Sequence, residues 1–177
     1  KCEYCRKQMY SHCTTGGLIL GNKIDGTQAE FVRTPYADMS LYPIPAGADE
    51  EALVMLSDIL PTGFECGVLN GKVEPGCTVA IVGAGPIGLM ATAVARHAGA
   101  RHVVVSEPNA FRRELAMQMG ATIAIDPRER ELADVFAELD MVEGFDVALD
   151  MSGNPAALRA AIGSMAHGGR IAILGIP

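Results

Sequence analysis

From Gly76 onward the chain alternates short Val/Ile-rich runs with helix-length runs, and this alternation constrains the fold more than any other feature. The strand-like runs are Thr78–Val82, His102–Glu107, Thr122–Asp126, Phe145–Asp150 and Arg170–Leu174, separated by helical patterns over 87–98, 109–119, 129–139 and 154–165. Gly99, Gly120 and Gly144 lie near the joints, where a chain that must reverse direction needs them. Strands apolar on both faces have to be covered on both faces, and parallel neighbours need a crossover helix. The pattern therefore predicts an α/β protein with a doubly wound parallel sheet.

The first strand–helix joint reads Thr78-Val79-Ala80-Ile81-Val82-Gly83-Ala84-Gly85-Pro86-Ile87-Gly88, a strand running into G-x-G-x-x-G and then a helix. Alone, that glycine pattern is weak; between a strand and a helix, with a second strand beyond, it becomes a dinucleotide-binding (Rossmann) fingerprint. Gly83 makes the tight turn, Gly85 lets the backbone approach a pyrophosphate, and Gly88 lets the helix pack on the strand. Pro86 falls at the helix start, where its missing N–H costs nothing. The helix N-terminus supplies free N–H groups and a positive dipole, and Ile87 belongs to the same loop. Glu107 ends the second strand, 19 residues beyond Gly88, where an acid accepts hydrogen bonds from ribose hydroxyls and repels a 2′-phosphate. That favours NAD over NADP, although Arg112 and Arg113 lie close behind and an arginine there can accommodate the phosphate. Five of the six strands usual in such a sheet are visible.

The amino-terminal part is different. Residues 1–25 are rich in turns and carry Cys2, Cys5 and Cys13, three of the five cysteines. Two readings stand at this point: a C-x-x-C redox pair, or a metal site one thiolate short of tetrahedral closure. Residues 27–33 alternate as a strand would, and Pro35, Pro43 and Pro45 interrupt the segment up to Asp49. A helical pattern begins at Asp49, is broken at Pro61, and resumes from Thr62 to Leu69 before Asn70-Gly71. The net charge of −7 argues against nucleic acid as a partner. No continuous apolar run reaches the ~18 residues of a membrane helix. Unpaired Cys66 and Cys77 suit a reducing, cytoplasmic setting. The chain starts at Lys1 within the cysteine cluster and stops at Pro177 just after a strand, which reads as a piece of a longer product cut at both ends.

Four segments together resemble the zinc-dependent medium-chain alcohol dehydrogenase family: the cysteine cluster, Gly26–Val32 (GTQAEFV), Asp58–Phe64 (DILPTGF), and VGAGPIG with its acid after the next strand. The resemblance spans essentially the whole chain. It implies that Cys2, Cys5 and Cys13 are the last three ligands of a four-cysteine structural zinc lobe. The three alone would hold zinc weakly or not at all, in a loosened loop. It implies that Asp58 is one ligand of a catalytic zinc and that Thr62 reaches the nicotinamide end of the cofactor. It implies that Leu174, Gly175 and Ile176 contact the nicotinamide carboxamide through their backbone.

The implied organisation is part of a GroES-like catalytic domain over 1–58, carrying the zinc lobe, and then an NAD-binding Rossmann domain over 59–177. The implied activity of the complete protein is oxidation of a secondary alcohol to a ketone with zinc and NAD. The implied partners are a small alcohol and further copies of the chain, as a tetramer, with no nucleic acid and no membrane. Residues 18–76 look most like bacterial secondary-alcohol dehydrogenases and residues 86–177 most like L-threonine 3-dehydrogenase, so both substrates stay open. An NAD-binding module without catalysis, or a zinc-free quinone reductase, are the competing readings; the cysteines and Asp58 argue against the latter.

Overall fold

A computed structural model describes residues 1–176. The chain divides into two compact units, Lys1–Ala48 and Asp49–Pro177. The boundary expected at Asp58 thus falls inside the second unit, because the helical segment that starts at Glu50 leads directly into elements that pack on the sheet.

In the second unit, strands β1 (Thr78–Val82), β2 (His102–Ser106), β3 (Ile123–Ile125), β4 (Phe145–Asp150) and β5 (Met165–Ile173) form one parallel sheet in the order β3-β2-β1-β4-β5. This is the α/β sheet the alternation predicts. Period-two alternation sorts the side chains onto two faces. Val79, Ile81, Val103, Val105, Val147 and Leu149 join one core layer with Ala91 and Ala95. Ala80, Val82, Val104 and Ala148 join the other with Leu132, Val135 and Ala161. Each fully buried Val, Ile or Leu contributes roughly 1.5–3 kcal/mol, so the two layers provide most of this unit's cohesion.

Helices α5 (Pro86–His97), α6 (Ala110–Gln118) and α7 (Pro155–Gly163) carry three of the four expected crossovers. The fourth, expected as a helix over 129–139, contains only a short 3-10 turn at Leu132–Val135. Asp126 closes a turn there by accepting the N–H groups of Glu129 and Arg130, and a Glu131/Asp134 capping box starts the 3-10 turn. Strand β5 begins five residues earlier than the expected Arg170, because Met165 pairs with Phe145 while Arg170 pairs with Val147. The extra residues loop out through Gly168, at φ +79°.

The segment 50–69 runs as α3 (Glu50–Leu53), a 3-10 turn (Val54–Leu56), α4 (Ile59–Thr62) and a π-helix (Gly63–Leu69). Counted as one 20-residue helix, it contains an 18-residue stretch with a mean hydropathy of 1.5, long and apolar enough by length and composition to cross a membrane. Asp58 and Glu65 interrupt it, so it is not a continuous apolar run. Its second half packs on α5 instead: a Cβ on Gly63 would meet the Ala91 nitrogen at 2.9 Å.

The first unit holds α1 (Glu3–Arg6), a 3-10 turn (Tyr10–His12) and α2 (Ala37–Ser40), and none of its residues is buried. The strand expected over 27–33 does not form. No described residue pairs with it, and Phe31 is 91% exposed. Alternation supplies a face, whereas a strand also needs a neighbour for its N–H and C=O groups.

Candidate functional site

At the carboxyl ends of β1, β2 and β4 lies a cleft of about 690 Å³ whose lining includes Gly83, Gly85, Glu107, Pro108, Arg112 and Ser152. Three glycines shape its floor for three different reasons. Gly83 turns at φ +93°, and a Cβ there would meet the Ser152 backbone at 3.0 Å. A Cβ on Gly88 would run into the Gly83 carbonyl oxygen, so its absence allows the helix–strand approach. Around Gly85 nothing lies within 4 Å of that position, which leaves an open cradle above the loop. Pro86 and Ile87 then begin α5, whose first N–H groups receive no side-chain cap. By contrast Asn109 caps α6 and Asn154 caps α7. Of these three crossover helices, the uncapped one is at the glycine loop, as an anion-binding site requires.

Glu107 is 4% exposed, immediately after β2. One carboxylate oxygen accepts the Ala84 N–H at 2.7 Å and the other the Asn109 N–H at 3.0 Å. The acid is therefore fixed to the glycine loop itself, on the wall of the cleft it lines. Arg112 lines the same cleft from the first turn of α6.

Beside Glu107 lies a group that motif spacing does not single out. Asp126, at the end of β3, binds the guanidinium groups of Arg113 and Arg128. Arg128 first, then Arg113, hold its carboxyl well below the usual carboxylate range, and Asp126 raises the Arg128 guanidinium in return. The signal in the sequence is an acid closing the third strand, at the position matching Glu107 on the second.

On the β4 side, Asp150 is 2% exposed and accepts the Ser152 N–H at 3.0 Å and its hydroxyl at 2.8 Å. The Leu174 and Gly175 N–H groups both donate to the Asp150 carbonyl at 2.9 Å. A Cβ on Gly175 would run into the Gly153 backbone and one on Gly153 into the Ile176 carbonyl, while the Ile176 residue is 91% exposed. Leu174, Gly175 and Ile176 are thus held beside the β4–α7 loop, outside the cleft lining that gathers Gly83, Gly85, Glu107 and Arg112.

Asp58, preceding α4, and Thr62, its last residue, are brought together one turn apart, and the Thr62 hydroxyl donates to the Asp58 carboxylate. Asp58 is exposed and caps no N–H of that helix. Its second oxygen has no assigned partner, which leaves it available to a metal.

In the first unit the Sγ atoms of Cys2, Cys5 and Cys13 lie within 4.8 Å of one another, with Cys2 and Cys5 3.7 Å apart. Sulfurs around tetrahedral zinc at 2.3 Å sit about 3.8 Å apart, so the three thiols fit zinc. The backbone N–H groups of Thr14 and then Cys5 push Cys2 down to about 6, and that of Thr15 lowers Cys13. The Cys5 thiol is pushed up, chiefly by its hydrogen bond to Cys13. Cys66 is exposed on the π-helix and Cys77 packs against a core layer; neither joins this group. Of the histidines, 12, 97 and 167 are exposed. His102 opens β2 with a buried Nδ1 lacking a partner, and burial lowers its pKa.

Comparison with known proteins matches this architecture. The chain is 44% identical to L-threonine 3-dehydrogenase of Vibrio parahaemolyticus over 99% of its length, and 43% identical to that of Streptomyces coelicolor over 100%. It spans about half the length of these curated relatives, 50% in each case. Zinc dependent alcohol dehydrogenase 2 from Streptococcus pneumonia superposes with a TM-score of 0.87 at 39% identity, over 99% of this chain and 50% of that one. A putative zinc-binding dehydrogenase from Sinorhizobium meliloti 1021, bound to NADP, gives 0.82 at 29% identity, over 99% of this chain and 51% of that one. Residues 86–177, more than half of the sequence, match the zinc-binding dehydrogenase family profile, and with the glycine loop and sheet order above the chain belongs to that family.

Proposed function

We propose that this chain is part of a zinc- and NAD-dependent oxidoreductase that oxidises a secondary alcohol to a ketone. The observation carrying the cofactor half is the open cradle at Gly85 under an uncapped helix N-terminus, with the buried Glu107 carboxylate on the same cleft wall. The first N–H groups of α5 would hold the pyrophosphate and Glu107 the adenosine ribose, with Arg112 on the rim. Leu174, Gly175 and Ile176 would meet the nicotinamide end. Asp58 would be one ligand of the catalytic zinc, oriented by the Thr62 hydroxyl it accepts. Cys2, Cys5 and Cys13 would belong to a structural zinc site in a part of the catalytic, GroES-like domain.

Zinc held there would supply Lewis-acid polarisation of the alcohol oxygen and a bound nicotinamide would supply the hydride acceptor, the overall exchange being alcohol and NAD⁺ to ketone, NADH and H⁺. This chain's residues bind and orient the cofactor, and Asp58 keeps a carboxylate at the metal. The acid at position 107 favours NAD, while the Sinorhizobium relative is bound to NADP.

The substrate is set by the reaction class: a small secondary alcohol, acted on by a homo-oligomer in the cytoplasm. A second reading, L-threonine, is favoured by the 44% identity to curated L-threonine 3-dehydrogenase across nearly the whole chain. Threonine also presents a secondary hydroxyl, so the chemistry is common to both. Calorimetric titration with NAD and NADP tests the cofactor site, with NAD expected to bind more tightly and no binding of either sinking the reading. Assays of the complete protein with 2-propanol, 2,3-butanediol and L-threonine decide the substrate.

A further inference from the structure

Resting on the dinucleotide reading above, we propose that Asp126 is a positioning residue that sets the choice between NAD and NADP. It does so by holding the guanidinium groups of Arg113 and Arg128 behind the turn that carries Glu107.

The geometry is specific. Asp126, 6% exposed, accepts the Arg128 Nε–H at 2.8 Å and the Arg128 backbone N–H at 3.0 Å through one oxygen. Its other oxygen accepts Arg113 Nη1–H at 3.1 Å and Arg128 Nη2–H. Each arginine then spends a second bond on the backbone of the β2–α6 turn. Arg113 donates to the Glu107 carbonyl and Arg128 to the Pro108 carbonyl, both at 2.8 Å. Glu107 and Pro108 line the cleft, whereas neither Arg113 nor Arg128 does.

The turn that presents the ribose-binding carboxylate is thus gripped from behind by two cations that stay out of the cleft lining, where Arg112 and Arg130 are the cations present. The cluster of Glu107, Asp126, Arg113 and Arg128 also sums to zero charge. A planar guanidinium is the group best suited to a phosphate. Arg128, with a side chain 70% exposed, has room to turn toward the cleft once its carboxylate partner is gone. Without the Asp126 charge the cluster becomes net positive beside the position where a 2′-phosphate would sit, and two forked donors lose their ionic partner.

The test titrates NAD and NADP separately into the unmodified chain and into Asp126→Asn, Asp126→Glu, Arg128→Gln and the Asp126→Asn/Arg128→Gln double variant. The unmodified chain is expected to prefer NAD. Asp126→Asn shifts the ratio of the two dissociation constants toward NADP by about tenfold; Asp126→Glu, which keeps the charge, holds the original ratio. The double variant loses most of the Asp126→Asn gain. Arg128→Gln alone, at an exposed side chain, weakens NAD with no gain for NADP and serves if Asp126→Asn does not fold. An unchanged ratio in Asp126→Asn, even with both affinities lowered, would overturn the inference and leave Asp126 a scaffold residue. So would unaltered binding in Arg128→Gln, or a preference for NADP in the unmodified chain. If the unmodified chain binds neither nucleotide, the dinucleotide reading itself falls and takes this inference with it.

Discussion

At the scale of single residues, Gly85 and Gly88 belong to one motif yet answer to different forces. Gly88 is required by the protein: its missing Cβ is what lets α5 sit on the Gly83 carbonyl. Gly88→Ala is therefore expected to cost about 1–3 kcal/mol of stability, as overpacking does, read as a lowered urea midpoint. Gly85 is required only by the ligand, since its φ of −67° suits any residue and its surroundings are open. Gly85→Ala should leave the urea midpoint in place and weaken NAD binding in calorimetry. An equal loss of stability in both variants would refute that division. Glu107 shows the limit of motif reading. Its position and role as a ribose acceptor are legible in the sequence, but its bonds to Ala84 and Asn109 are not. A strand-end carboxylate reveals nothing in sequence about which backbone N–H groups fold back upon it.

Among the elements, three helix N-termini divide the work. Asn154 accepts the N–H groups of Ala156 and Ala157 at 2.8 and 3.3 Å and so closes the N-terminus of α7, as Asn109 does for α6, while α5 is left open for an anion. Asn154→Ala is expected to lower stability by about 1 kcal/mol in urea unfolding, without a matching loss at the glycine loop. The strands β1 and β4 have the bounds their apolar runs suggest, because a strand buried on both faces has no freedom in composition or register. Elements on the rim are less legible. The 129–139 segment has helical composition, but Asp126 captures its first N–H groups in a turn, and Gly168 and Gly169 hide an early start to β5. The same Asp126 supplies a pH dependence. Its folded pKa lies below the ordinary value, so its contribution to stability is complete above the usual carboxylate range of about pH 4. That contribution is lost as the pH falls through and below this range. Asp126→Asn should flatten the acid limb of the unfolding curve below about pH 4 and leave neutral-pH behaviour to the loss of the ion pairs alone.

On the scale of the whole molecule, the two units rest on different kinds of cohesion. The unit from Asp49 on has two apolar layers around a central sheet, whereas Lys1–Ala48 has no buried residue and exposes Leu18, Phe31 and Tyr42. A segment so poor in core offsets little of its conformational entropy by burial, so a metal cross-link would add order that burial does not supply. Three converging thiols can supply such a cross-link, but three ligands leave a tetrahedral ion one donor short. We therefore expect the metal to act on the first unit only, and weakly. Amide hydrogen exchange should find residues 78–82, 102–106 and 145–150 protected and residues 1–48 close to unprotected in metal-free buffer. Excess zinc, or cadmium as a thiolate-seeking probe, should slow exchange around Cys2–Cys13 and leave the sheet unaltered, and Cys5→Ser should abolish the effect. Because the ligand set is incomplete, a chromogenic chelator should strip the ion readily. One zinc per chain retained against that competitor would mean a fourth donor is supplied within the chain, and slowed exchange across the sheet would mean the two units are not energetically separate.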